Sequence, residues 1–167
     1  MNCLAPVVVL LFLGILYLRG SLVIVTVQGL SMLPTLIPGD RVLVWRHYSP
    51  RWLKKGQIVL VWPRTEPSSY ILHMGPKPNL LTVTPYIKRV VGLPGSTIIT
   101  SVTDLPENLK LQQLKFHDEK GKRVWNVPPG HFFAKGDASG VDSTTWGPLP
   151  FNNFWGIVVV KLPTKKS

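Results

Sequence analysis

The chain begins with a long run of apolar residues. Leu4 to Leu18 contains fifteen residues without a charge and is closed by Arg19 and Gly20. As a helix this run rises about 22 Å, and Met1 to Cys3, with an arginine that reaches back to the headgroups, makes up most of the ~30 Å of a bilayer core. A cleaved secretory signal is the alternative, but the basic start and the small-residue cleavage site of such signals are missing. Residues 1–20 are therefore predicted to be a single transmembrane anchor.

Beyond the anchor, β-branched and apolar residues come in short runs separated by turn residues such as Pro38 to Asp40. No helical periodicity of useful length follows, so residues 21–167 are predicted to form a mainly β domain. Two segments interrupt the pattern, a loop over about 63–85, with a short strand at Leu80 to Thr84, and a polar insertion over about 103–123. The predicted strands are Ser21–Gln28, Arg41–Trp45, Gly56–Trp62, Tyr86–Gly92, Ser96–Thr100, His131–Asp137 and Phe154–Leu162.

Charge limits the class of partner. The net charge is +11, but the basic residues are scattered, and the dense groups are only Lys120 to Arg123 and Lys165 to Lys166. No nucleic-acid-binding motif accompanies them, so a basic domain near the anionic headgroups of a lipid bilayer is predicted rather than a nucleic-acid partner. Trp45, Trp52 and Trp62 stand beside arginines and lysines and fit either a surface at headgroup level or the core.

The residues that bind metals and form disulfides are few. Cys3 is the single cysteine, which excludes an internal disulfide and a cysteine-based zinc site. The four histidines show no metal-ligand spacing. No metal and no organic cofactor is therefore predicted.

Three segments carry candidate chemistry. In chain order they are GLSMLPTLIPGD (Gly29 to Asp40), YIKRVVGLPGS (Tyr86 to Ser96) and GDASGVDSTTWGP (Gly136 to Pro148). With the anchor, they resemble the type I signal peptidase family, membrane-bound serine endopeptidases that cut signal peptides from exported proteins. The resemblance covers almost the whole chain and implies an antiparallel β catalytic domain, precursor proteins as substrates, and the plasma (inner) membrane with the domain on its extracytoplasmic face. An organelle inner membrane is the alternative location.

The resemblance implies that Ser31 is the nucleophile and Lys88 the general base. A lysine accepts a serine proton only when it is neutral. Holding an ordinary lysine neutral at pH 7 costs about 4.6 kcal/mol, and burial lowers a lysine pKa by about 3–5 units, which offsets that cost. Strand alternation places Lys88 on one face with Tyr86 and Val90, the apolar surroundings that a desolvated base requires.

Two neighbours of the serine also receive roles. Gly29 lets the backbone bend closely, so that amides near Ser31 face a developing oxyanion. The resemblance implies that Met32 shapes the substrate cleft. The sequence shows no second oxyanion donor, since the family's serine hydroxyl at the position of Gly29 is missing.

The third segment departs from the family pattern, Gly-Asp-Asn followed by Ser-x-Asp-Ser-Arg. Ala138 stands for the asparagine, and Gly140 occupies the position of the serine that binds the catalytic lysine. Ser139, Ser143 or a water molecule is left to orient Lys88.

The same segment supplies structural carboxylates. Asp137 and Asp142 are predicted to pair with Arg89. Thr144 replaces the arginine of the family pattern and is not expected to contribute. These changes affect the support of the site more than the nucleophile and the base.

Alternative functions remain. One is a specialised processing peptidase of the same family, of the organelle inner-membrane type or with a single substrate. Another is an autoproteolytic Ser-Lys repressor, which shares a similar β scaffold but needs a DNA-binding headpiece where this chain has a membrane segment. The last is a catalytically decayed, membrane-anchored binding module.

Overall fold

The computed structural model describes residues 7–62 and 85–163, apart from residues 10, 11, 13, 15, 16, 18 and 19. The described residues between 7 and 21 are helical. In these described ranges no helix combines the length and the apolar character needed to span a bilayer. The predicted loop up to residue 84, with its short strand at Leu80 to Thr84, lies outside the described residues.

The described chain is mainly antiparallel β, which confirms the predicted fold class. Besides the helical residues between 7 and 21, the described part of the chain has two short α-helices, α1 (Glu107–Gln113) and α2 (Ser143–Trp146). The strands are β1 (Leu22–Thr26), β2 (Arg41–Trp45), β3 (Ile58–Val61), β4 (Tyr86–Gly92), β5 (Thr97–Ser101), β6 (Lys122–Asn126), β7 (His131–Lys135), β8 (Leu149–Pro150) and β9 (Phe154–Leu162).

One sheet of seven strands carries the fold, in the order β1-β2-β9-β3-β4-β7-β8. Side chains alternate across its strands, so Val59 and Val61 of β3 face one apolar cluster and Leu60 faces another. The first cluster is built with Phe132 and the second with Met32. Among the described residues β1 pairs only with β2, so it forms one edge of this sheet as described.

The predicted insertion at 103–123 has regular structure. It contains a 3-10 turn at Val102–Asp104, helix α1 and the start of β6, which pairs with β5 in a separate two-stranded sheet. The sequence did not predict the short helix α1, which is seven residues long. Strand β6 was not predicted because its basic residues obscure the alternation of apolar and polar positions. In the structure Arg123 and Trp125 lie on the same face of this strand, with the guanidinium 3.7 Å from the centre of the Trp125 ring.

The three tryptophans noted in the sequence do not share one environment. Trp52 is 65% exposed. Trp45 is half-buried against Tyr48, with ring centres 5.6 Å apart, and Trp62 is half-buried against Trp155 at 6.2 Å. Only Trp52 presents most of its ring to the surface, and none of the three is fully buried in the core.

Candidate active site

The serine lies in a tight turn that follows the edge strand β1. The Val27 N–H donates to the Asp40 carbonyl at 2.7 Å and fixes the start of this turn. Gly29 has a φ of +86°, a left-handed conformation that favours glycine, and there the chain leaves the strand direction. Met32 is 2% exposed and anchors the turn in the core. Ser31 is thus held on a fixed backbone with its side chain half-buried.

Lys88 is buried in the middle of β4. The residue is 1% exposed, lies opposite Val59 of β3, and its Nζ is 5.8 Å from the centre of the Tyr86 ring. Burial lowers the pKa of the Lys88 amine from that of a free lysine, and the negative charge of Asp142 opposes this shift. The strand therefore holds the desolvated amine that the sequence predicts.

Ser31 and Lys88 converge on Gly140. A Cβ built on this glycine would lie 3.0 Å from Ser31 Cβ and 3.7 Å from Lys88 Nζ. Among the described residues, no hydrogen bond joins the serine hydroxyl to the amine. Contacts of this kind are often long without substrate and shorten in the complex, so the arrangement suits proton transfer between the two groups.

The segment that contains Gly136 packs directly on the serine turn. The Ala138 N–H donates to the Ser31 carbonyl at 3.0 Å. A Cβ on Gly136 would lie 2.6 Å from the same carbonyl oxygen, closer than any side chain allows. Glycine is therefore required at this position by the approach of one backbone to the other.

Asp142 organises the same segment through a buried carboxylate. Its Oδ2 accepts from the Gly136 N–H at 2.7 Å, and its Oδ1 accepts from the Thr144 N–H at 2.8 Å and the Thr144 hydroxyl at 2.7 Å. The expected pairing of Asp142 with Arg89 is wrong, since the two make no ion pair within the described residues. Thr144 does contribute, contrary to expectation, because a threonine two residues on can donate both groups to the carboxylate.

Arg89 pairs with Asp137, as predicted. Two parallel bonds of 2.7 Å join its Nε and Nη2 to the two carboxylate oxygens. Hydrogen bonding from Arg89 lowers the pKa of the Asp137 carboxyl, so it stays charged in mild acid. The Thr35 hydroxyl donates to Asp137 at 2.6 Å and accepts from Arg89 at 3.2 Å. Thr35, for which the sequence suggests no role, therefore ties the serine turn to the strand that carries Lys88.

A cleft of about 520 Å³ opens beside Ser31, between the edge of β1 and the start of β4. Its lining is partly apolar and partly polar. Gly29 and Met32, the two predicted cleft residues, both line it. The other lining residues are Ile24 to Gln28, Pro85 to Ile87 and Trp155.

The sequence profile of the family described as signal peptidase, peptidase S26, matches residues 1–162. The chain belongs to this family. Similar proteins include signal peptidase I of Leptolyngbya laminosa, 31% identical over an alignment of 140 residues that covers 78% of this chain and 64% of the relative. The probable signal peptidase I-1 of Synechocystis sp. is 31% identical over an alignment of 140 residues that covers 75% of this chain and 63% of the relative. The mitochondrial ATP-independent inner membrane protease subunit 1b of Arabidopsis thaliana is 31% identical over an alignment of 135 residues that covers 78% of this chain and 64% of the relative.

Membership of the signal peptidase family confirms the resemblance seen in the sequence. The chain spans slightly less than two thirds of the length of these relatives, 64% for two of them and 63% for the third. One relative is a mitochondrial inner-membrane protease, so the organelle alternative also has a counterpart among similar proteins.

Neither of the two serines predicted to orient the lysine forms a hydrogen bond to Lys88 in this signal peptidase family member. Ser139 is exposed, and the Ser143 hydroxyl accepts from the Ala134 N–H at 3.1 Å, which holds α2 against β7. Within the described residues, no side chain hydrogen-bonds to the amine. Gly140 lies beside Lys88, where the family pattern has a hydroxyl.

One cleft residue was not found from the sequence. The register between β3 and β9 shifts between Leu60 and Val61, so Trp155 has no partner residue on β3. Trp155 lines the cleft. The Arg46 guanidinium lies 4.7 Å from the centre of that ring. Strand alternation alone does not reveal a register shift, so nothing in the sequence distinguished this tryptophan from the others.

Proposed function

We propose that this chain is a membrane-anchored serine endopeptidase that removes N-terminal signal peptides from exported proteins by means of a Ser31–Lys88 dyad. The observation that carries the proposal is the convergence of a half-buried hydroxyl and a buried amine of lowered pKa beside a cleft. Membership of the signal peptidase family supports it.

In the proposed reaction, the neutral amine of Lys88 takes the proton of Ser31 as the serine oxygen attacks the scissile carbonyl carbon. The C–N bond of the tetrahedral intermediate then breaks, and the ammonium returns the proton to the leaving amine. An acyl ester on Ser31 remains. The neutral amine next takes a proton from water, which attacks the ester, and the serine regains its proton as the signal peptide leaves with a new carboxylate.

The serine turn provides donors for the oxyanion. Among the described residues, the N–H groups of Ser31 and Met32 donate to no backbone carbonyl. Free amides beside a nucleophile stabilise the charge that develops on the carbonyl oxygen. We take the Ser31 N–H as one donor, made accessible by the bend at Gly29.

Strand β1 suits the binding of an extended precursor. In an antiparallel sheet, the N–H and the carbonyl of one residue both point to the strand on one side, and those of the next residue both point to the opposite side. Val27 directs its N–H and its carbonyl toward the β2 side. The backbone groups of Ile24, Thr26 and Gln28 therefore face the open edge along the cleft, where a peptide can add as another strand.

Strand β4 offers the opposite wall. Val90 exchanges backbone bonds with Gly56 and Gln57 on the β3 side, so alternation directs the backbone groups of Ile87 away from β3. Pairing with β7 begins only at Arg89. A precursor strand in the cleft can thus bond to both walls. Its side chains then meet the apolar residues of the lining, such as Met32 and Ile87, which suit the small residues preferred by the family at the first and third positions before the cut.

A cleavage assay tests the proposed function. The full-length chain in detergent micelles is expected to cut precursors with alanine at the first and third positions before the cut. A tryptophan at the first position is expected to reduce kcat/KM by at least about 100-fold, because the cleft must then admit a large ring. The matched control carries tryptophan at the second position, where the side chain points away from the cleft and has little effect. Cleavage of no precursor, or equal tolerance at both positions, contradicts the proposal.

A specialised processing peptidase is the second candidate. The mitochondrial inner-membrane relative and the missing hydroxyl at Gly140 favour it. The same precursor set separates the two candidates. A general signal peptidase cuts many unrelated precursors, whereas a specialised enzyme cuts one.

The proposed anchor is residues 1–20, and the proposed location is the plasma (inner) membrane, or an organelle inner membrane. The uncharged run from Leu4 to Leu18 supports the anchor. The ring of Tyr17 lies beside Trp45 and Val159 around a small apolar pocket, so this segment leads directly onto the β domain. Full-length protein is expected to stay in the membrane pellet at alkaline pH, and a variant that lacks residues 1–20 to be released.

The pH dependence of cleavage tests the role of Lys88. Because only the neutral amine acts as base, kcat/KM is expected to rise with pH through the pKa of Lys88. Burial lowers this pKa, so the rise should be complete below the range of a free lysine. The measurement is the pH profile of kcat/KM. A profile that still rises at the ordinary pKa of lysine, about 10.4, contradicts the assignment.

A further inference from the structure

No side-chain hydroxyl holds the amine of Lys88 in the described part of the chain. Gly140 has no side chain, although a Cβ built on it would lie only 3.7 Å from the Lys88 Nζ. Ser139 is exposed and Ser143 is engaged with the backbone of β7. A buried amine that becomes charged during catalysis still requires a partner, because desolvation disfavours the ammonium form.

Asp142 places a buried carboxylate in the loop that packs against this amine. The residue follows Gly140, which lies beside the Lys88 Nζ, and its Oδ2 accepts from the N–H of Gly136, which packs on Ser31. The residue is 0% exposed, and its carboxylate accepts from neutral donors, the Gly136 N–H and the two groups of Thr144. A buried carboxylate is costly unless a cation offsets its charge. Its charge favours the charged form of Lys88.

The other charged groups on the strands beside Lys88 have partners of their own. The ring of Tyr86, whose centre lies 5.8 Å from the Lys88 Nζ, is the other titratable side chain described beside the amine. The ion pairs on the flanking positions of β4 and β7 are Arg89 with Asp137 and Lys135 with Asp104.

We propose that Asp142 is a positioning residue whose buried carboxylate is the counter-charge of the Lys88 ammonium. It keeps the amine beside Ser31 and sets the pH at which the amine becomes free to act as base. When Lys88 takes the serine proton, the new ammonium faces a fixed negative charge, so the proton transfer becomes more favourable. This inference rests on the proposed function and replaces the missing hydroxyl at Gly140 by a longer-range electrostatic interaction without a direct ion pair.

Thr144 moderates the counter-charge. Its N–H and its hydroxyl both bond to one oxygen of Asp142, at 2.8 and 2.7 Å. Hydrogen bonds from neutral donors spread and stabilise a carboxylate charge. Loss of the threonine hydroxyl should therefore strengthen the field of Asp142 at Lys88, and loss of the carboxylate charge should remove it.

The first test is Asp142→Asn, studied through the pH profile of kcat/KM in full-length protein. Removal of the counter-charge makes the Lys88 ammonium less stable, so the acidic limb of the profile is expected to move to lower pH. At a fixed pH on that limb, activity relative to each protein's own plateau should rise about three- to tenfold, the effect of one close charge. A merely structural role has the opposite sign, because a loosened site admits water and moves the limb toward that of free lysine. A limb that stays or moves to higher pH overturns the proposal.

The second test keeps the charge and remains decisive if Asp142→Asn does not fold. Thr144→Val removes the hydroxyl that bonds to Asp142 and is expected to move the acidic limb to higher pH, while Thr144→Ser restores it. Thr145→Val is the matched control, since the adjacent Thr145 hydroxyl has no partner among the described residues and its removal should leave the limb in place. An unchanged limb in Thr144→Val, or an equal shift in Thr145→Val, overturns the proposal.

These outcomes are distinct from failure of the proposed function. If wild-type protein cuts no precursor with alanine at the first and third positions, the proposed function is refuted before any variant is compared. If the wild-type protein cuts the precursor but the acidic limbs of the Asp142 and Thr144 variants do not shift as predicted, only the role of Asp142 is refuted. Asp104→Asn, which removes a carboxylate paired with Lys135 elsewhere, should leave the limb in place.

Discussion

Lys88→Met is expected to abolish cleavage while the protein stays folded. Methionine has a similar length but no base, so kcat/KM should fall by at least about 10⁴-fold. The free energy of unfolding should stay the same or rise by up to about 3 kcal/mol, because an apolar side chain replaces a buried amine. The measurements are precursor cleavage and denaturant unfolding of the same preparation.

The effect of Lys88→Met on stability has a predictable pH dependence. Burial lowers the pKa of Lys88 in the folded protein, so between that pKa and the ordinary lysine pKa the unfolded chain binds more protons. The stability of the wild-type protein therefore rises with pH through this window and is lowest below it. The stability gained in Lys88→Met should be largest at low pH and vanish above the window.

Matched variants give this prediction its controls. Ser31→Ala should lose as much activity as Lys88→Met, and the double variant should lose no more, because the two groups act as one unit. Lys54→Met changes an exposed lysine and should leave activity unchanged. If Ser31→Ala or Lys88→Met matches the wild type, the dyad assignment fails and the decayed binding module becomes the better description.

Gly136→Ala is expected to have the second largest effect. The new Cβ would lie 2.6 Å from the Ser31 carbonyl oxygen, so the serine turn must move. A displacement of about 1 Å at a nucleophile costs about 100-fold in rate, and kcat/KM should fall by at least that factor. Stability should fall by about 2–4 kcal/mol, because the Ala138 bond to Ser31 is lost with the packing around it.

The control for Gly136→Ala is the same change where a Cβ has room. Gly20 is helical, and a Cβ there meets nothing within 4 Å. Gly20→Ala should change stability by less than about 0.5 kcal/mol and leave kcat/KM unchanged. If Gly136→Ala behaves like this control, the close approach of the two backbones does not position the serine.

Sequence patterns predicted the strands that carry the site. Alternation and β-branched residues set the bounds of β2, β4 and β9 as found, because these strands are long or contain regular apolar positions. They missed β8, two residues long, since such a strand depends on its partner rather than on its own composition. They also missed helix α1, which lies in a segment that reads as polar loop.

The site was predicted in part. The burial of Lys88 follows from its place in an apolar strand, and the pairing of Arg89 with Asp137 from their opposite charges. The contacts of Asp142 did not follow, because they depend on how a short loop folds onto its own backbone. Local hydrogen bonds of this kind are set by loop geometry, which residue types alone do not determine.

The open edge of β1 has a consequence for which precursors are accepted. Its backbone groups face the cleft only at every second residue, at Ile24, Thr26 and Gln28. Proline has no N–H to donate, so in a bound precursor it interferes opposite these residues or opposite Ile87, and is harmless in between. If the chain cleaves signal peptides as proposed, cleavage should depend on the position of a proline in the signal peptide rather than on its presence alone.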